Sequence, residues 1–243
     1  MASNPGHGHA PERWRAALTE LALAVLGMFC GMTALFLLRA LGLWPSGEGG
    51  PRGLSLVGGP LITGIGALCY LAFTRRALLE PGDELPPLQP RDPLRGVATA
   101  GLGIAAAIVG SIVIGALTEL VGAPVAEQDS IVEIVQDWRS GDDRTTVVVL
   151  GCSAVLLAPL AEESLFRGLL FARLRRGCGR TAAYLLSAIA FATIHGNPAG
   201  FVVYVWLGLV FAWTLERSGR LWPAMLVHMG NNAFAFAALL LTP

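Results

Sequence analysis

Apolar residues fall in long unbroken blocks along this chain, not in the alternating or one-sided patterns of a water-soluble fold. A helix needs about 20 apolar residues to cross a hydrocarbon core. Blocks near that length lie at 16–41, 54–74, 97–121, 146–172, 181–195, 199–215 and 222–241, the fifth of them short. Between them stand WPSGEGGPRG (44–53), PGDELPPLQPRDP (81–93), SGDD (140–143), GCGR (177–180), HGNP (195–198) and ERSGR (216–220). These are loops because Gly and Pro supply turn dihedrals and break helical hydrogen bonding. The pattern predicts an all-α, polytopic membrane bundle of about seven transmembrane helices.

One polar connection carries a helical signal. In SIVEIVQDW (130–138), Ile131, Ile134, Val135 and Trp138 share one helical face, and Ser130 and Glu133 have capping-box spacing. The reading is an amphipathic helix on the outer membrane surface, with packing onto neighbouring loops as the alternative.

Composition agrees with a lipid environment. Hydrophobic residues make up 54% of the 243 positions and charged residues 14%, against about 25% charged in soluble domains. Net charge is zero, so no basic surface for nucleic acid is expected. All 17 basic residues are arginine. With seven spans and the N-terminus inside, twelve arginines fall on the cytoplasmic side, four outside and Arg167 within a span. That bias follows the positive-inside rule and predicts a multi-pass cell-membrane protein with a cytoplasmic N-terminus. The expected organisation is a disordered tail over 1–15, N-terminal helices with the external amphipathic segment over 16–144, and a catalytic region over 145–243. Cys30, Cys69, Cys152 and Cys178 lack metal or disulfide spacing.

Inside the fourth block, LAPLAEESLFRG (157–168) places charges where lipid penalises them. Pro159 removes a helical hydrogen bond, so a bend is expected there. Glu163 and Arg167 stand four apart and can pair along one face. Glu162 points about 100° away around the helix and has no obvious local partner, which suits a general acid or base. Downstream, FATIHGNP carries His195, and VHMGNN carries His228 with Asn232 four residues later. A lone intramembrane histidine reads as a helix-to-helix hydrogen bond. At 1.5 Å rise per residue, however, Glu162, His195, His228 and Asn232 all come within roughly 12–22 Å of the cytoplasmic arginines, so they can converge. A carboxylate with one imidazole can activate water, while a second imidazole and an amide can donate to an oxyanion. Glu162 with His195, and His228 with Asn232, would then form a peptide-hydrolysing set without a serine, cysteine or threonine nucleophile.

EESLFR (162–167), FATIH (191–195) and HMGNN (228–232) resemble the EExxxR, FxxxH and HxxxN motifs of the CAAX-protease and bacteriocin-processing (CPBP, or Abi) family of intramembrane endopeptidases. The resemblance covers about residues 145–240. It implies a CAAX prenyl endopeptidase-like fold and an endopeptidase, with Glu162 as catalytic acid/base and His195 its partner on water. His228 and Asn232 would stabilise the oxyanion, and Glu163 and Arg167 would support the first helix. Members are described both as metalloproteases and as metal-free glutamate enzymes. Glu162, His195 and His228 could supply three zinc ligands, yet no HExxH makes zinc the default, and the reading leans metal-free. The partners implied are the lipid bilayer and a peptide or membrane-protein substrate. A transporter or proton relay built from the same residues, and a non-catalytic immunity or scaffold member of the family, are the rival readings.

Overall fold

The structure is a computed structural model that describes residues 10–45, 52–74, 93–125, 131, 134–136 and 144–241. Among these residues every regular element is helical. Helix α1 spans Ala10–Ala40, α2 Gly58–Thr74 behind a short 3₁₀ turn (Gly53–Val57), and α3 Pro93–Leu120. A continuous helix, α4, runs from Arg144 to Gly177. Then follow α5 (Arg180–Ile194), α6 (Phe201–Ser218) and α7 (Leu221–Leu241).

Among the described residues, six helical stretches are long and apolar enough to cross a bilayer, and α5 is not one of them. At 1.5 Å per residue the 15 residues of α5 reach about 22 Å, short of a hydrocarbon core of about 30 Å. The chain is a multi-pass membrane protein of helical-bundle architecture. The first helix starts earlier than its hydropathy suggests. Residues 10–15, expected in a disordered tail, already belong to α1. Pro11 lies in the first turn, where its missing N–H has no intrahelical role, and Glu12 complements the positive end of the helix dipole there.

Small residues set the α1–α2 contact. A Cβ on Gly27 would lie 2.5 Å from the Gly66 carbonyl oxygen, and one on Gly31 would lie 2.2 Å from that of Ile62. The two backbones therefore touch, the mode of association open to helices in lipid. Helix α3 packs on α6 and α7, and Trp206 Nε1 donates to the Ala106 carbonyl across 3.1 Å.

Helix α4 lies at the centre. Leu165 to Leu174 are buried on every side, Arg167 and Arg173 included. The bend expected at Pro159 takes the form of a wide, π-helical stretch over Ser153–Leu157 immediately before it. A second wide stretch covers Ser164–Phe171. Backbone groups loosened in this way need other partners. The Ala154 carbonyl accepts from Asn232 Nδ2 at 2.8 Å.

The described part of the amphipathic segment packs against protein, in the manner of the alternative reading. Ile134 and Val135 are helical and buried, and Ile134 joins Val147 and Leu150 in a small core edged by Ile131, Leu56, Phe236 and Leu240. Ile134 and Val135, the described inner positions of its apolar face, are covered by protein. Ser130, Glu133 and Trp138 fall outside the described residues.

Candidate functional site

Three helices bring the motif residues together. Glu163 and Arg167 are fully buried, with Nη1 and Oε1 3.3 Å apart. The expected pair therefore forms even though the turn between them is wide. Arg167 Nη2 donates to the Gly208 carbonyl of α6 across 3.2 Å. Its guanidinium stands 4.5 Å from the Phe191 ring centre and 5.1 Å from that of Phe211. Each such contact contributes roughly 0.5–2 kcal/mol, so the buried cation is held by a carboxylate, a carbonyl and aromatic faces.

Glu163 does more than its sequence position suggested. Its Oε1 also accepts from His228 Nδ1 at 3.0 Å, which ties α7 to α4. His228 is buried, stacked on Phe211 at 4.5 Å with 20° between the rings. With the proton of Nδ1 engaged, the other nitrogen, Nε2, turns towards Glu162, whose Oε2 lies 4.0 Å away. Glu162 is 13% exposed where Glu163 is 0%. Adjacent carboxylates thus have separate surroundings, one locked in an ion cluster and one at the margin.

His195 closes the C-terminal end of α5. Its Nδ1 donates to the Phe191 carbonyl at 2.8 Å, so the neutral ring carries its lone pair on Nε2. The ring meets Phe191 edge-on at 4.7 Å and stacks on Tyr204 at 4.0 Å. Phe191 also touches His228, with ring centres 5.7 Å apart. It is the element shared by both imidazoles. Asn232 donates one N–H to Ala154, while its Oδ1 accepts from Asn231 Nδ2 at 3.3 Å. Its second N–H is chemically able to serve a ligand.

The structure therefore joins Glu162, Glu163, Arg167 and His228 directly. His195 is joined to them through Phe191, and Asn232 through the α4 backbone. Four contributors went unread in the sequence: Phe191 as a spacer, Phe211, Gly208 and Tyr204. Only Phe191 had a signal, its place in FATIH. Arg173, expected at the cytoplasmic boundary, is buried at 5% exposure. Its guanidinium lies over the Tyr70 ring at 4.9 Å and 3.9 Å from Glu20 Oε2, and Tyr70 donates to the same carboxylate. A long arginine can retreat into a bundle when a carboxylate meets it there.

The donor types of Glu162, His195 and His228 suit zinc. Among the described residues, however, no three His, Cys, Asp or Glu side chains are grouped to hold a metal ion. The residues as arranged do not fit a three-ligand zinc centre.

The inner helices of the bundle thus carry paired carboxylates and two imidazoles. Residues 144–234 match the family profile described as Type II CAAX prenyl endopeptidase Rce1-like. The Bacillus subtilis (strain 168) protein named "Putative membrane peptidase YdiL" is 28% identical over 79 residues, 32% of this chain. The match likewise spans 32% of that protein's length. No solved structure matches the chain.

Proposed function

We propose that the chain is an intramembrane endopeptidase that hydrolyses a peptide bond in a membrane-associated protein or peptide. The observation that carries this reading is the arrangement of the two carboxylates around His228, with Glu163 on Nδ1 at 3.0 Å and Glu162 facing Nε2 at 4.0 Å. An imidazole held only for structure needs one partner; this one presents its second nitrogen to a carboxylate at the edge of the buried cluster.

In the proposed reaction Glu162 accepts a proton from water while His195 Nε2 orients that water by accepting its second hydrogen. The hydroxide equivalent adds to the peptide carbonyl. His228, as the imidazolium between Glu163 and Glu162, donates from Nε2 to the oxyanion, and Asn232 adds its second N–H. Glu162 then returns its proton to the amine as the C–N bond breaks. Positioned proton transfer contributes roughly 10²- to 10⁴-fold, and each oxyanion donor about 10²- to 10³-fold. Glu163 and Arg167 hold His228 in place and take no proton. The arginines flanking the first four helices, Arg13, Arg15, Arg75, Arg76, Arg91, Arg95, Arg175, Arg176 and Arg180 against Arg39, Arg52, Arg139 and Arg144, support a cytoplasmic N-terminus whichever way α5 runs.

The test compares membrane peptides from cells making the wild-type chain with those from cells making Glu162→Ala or His195→Ala at equal protein level. Peptides that appear only with the wild type are the expected products. Both variants retaining them would end the proposal, and ion flux in protein-containing liposomes would favour the transporter reading.

A further inference from the structure

We infer that Tyr204, on the first turn of α6, is a positioning residue that fixes the plane of the His195 imidazole. This rests on His195 acting on water as proposed above. Its Nδ1 hydrogen bond to the Phe191 carbonyl, at 2.8 Å, holds one edge of the ring. Two aromatic rings bear on its faces and rim. Phe191 touches it edge-on at 4.7 Å with 60° between planes, while Tyr204 lies face to face at 4.0 Å and 23°.

The loop that follows is built to admit this tyrosine. Gly196 takes φ +60°, a left-handed turn that reverses the chain straight after His195. Asn197 Oδ1 then accepts from the Gly200 backbone N–H at 3.2 Å and closes the turn. At Gly200 a Cβ would stand 2.7 Å from Cε2 of Tyr204. Glycine there leaves the space that the tyrosine ring occupies. The HGNPAG segment therefore does more than connect α5 to α6: it delivers an aromatic face to a histidine nine residues upstream. Stacking needs the ring and not the hydroxyl, so phenylalanine should replace tyrosine and an aliphatic residue should not.

The experiment uses the full chain in nanodiscs and in cell membranes. Four histidines in the chain make a ¹³C-histidine spectrum assignable, with His195→Gln marking the signal. Ring protons stacked on Tyr204 should appear upfield in the wild type and in Tyr204→Phe, and return towards ordinary positions in Tyr204→Leu. In membranes, the Glu162-dependent peptides should form at near wild-type rate with Tyr204→Phe. They should form about 10- to 100-fold more slowly with Tyr204→Leu, and Gly200→Ala should fall on the same side. An unchanged His195 spectrum in Tyr204→Leu overturns the inference, and so does Tyr204→Phe losing as much activity as Tyr204→Leu. If no peptide depends on Glu162, the peptidase reading fails, while the spectrum still reports whether Tyr204 fixes the ring.

Discussion

Oε1 of Glu163 receives His228 Nδ1 at 3.0 Å and faces Arg167 Nη1 at 3.3 Å, so a single carboxylate oxygen joins α4 to α7 at the centre of the bundle. All three side chains are buried. The consequences differ for stability and for activity, and variants can separate them.

Glu163→Ala should destabilise the protein by about 3–5 kcal/mol, because it strands a buried guanidinium. Replacing both partners, as in Glu163→Leu with Arg167→Met, should recover much of that loss while leaving the chain inactive, since His228 no longer has its anchor. Thermal unfolding in detergent, alongside peptide release from membranes, reads both. A double variant no more stable than the single one would show that the pair is not the source of the effect.

Asn232→Ala removes an oxyanion donor and also leaves the Ala154 carbonyl without its side-chain partner. Cleavage should fall about 10²- to 10³-fold, and stability by about 1–3 kcal/mol. Equal cleavage rates for this variant and the wild type would remove Asn232 from the proposed reaction.

Gly31→Leu forces apart helices whose backbones touch, and a loss of about 1–3 kcal/mol is expected from overpacking. The site lies on other helices, so the rate per folded molecule should stay unchanged. A rate that fell at full stability would place the α1–α2 contact in the catalytic machinery.

Prolonged dialysis against EDTA should leave cleavage intact. Among the described residues no three-ligand group of His, Cys, Asp or Glu is present. Activity lost on chelation and restored by stoichiometric zinc would reverse that reading.

Much of this site was legible before any coordinates. Glu163 and Arg167 stand one helical turn apart, so their pairing needed only the helix, and it survived the widening of that turn to a π-helical one. The separation of Glu162 from Glu163 was legible too, because neighbouring residues on a helix point about 100° apart. The His228–Glu163 contact was not, since it depends on how far α7 is rotated against α4. Nor was the burial of Arg173, whose partners Glu20 and Tyr70 come from α1 and α2. The amphipathic stretch around Ile134 showed its apolar face but not what would cover it, because lipid and Val147 or Leu150 are equally apolar.

The sequence by itself determined that this chain crosses a membrane and that its few inner charges must be paired. Block length and the penalty for ions in hydrocarbon leave little choice. Only the tertiary structure decided which pairs form and which face of each histidine is held. Helical periodicity sets neighbours along one helix, whereas the rotation of one helix against another follows from side chains far apart in the chain packing together.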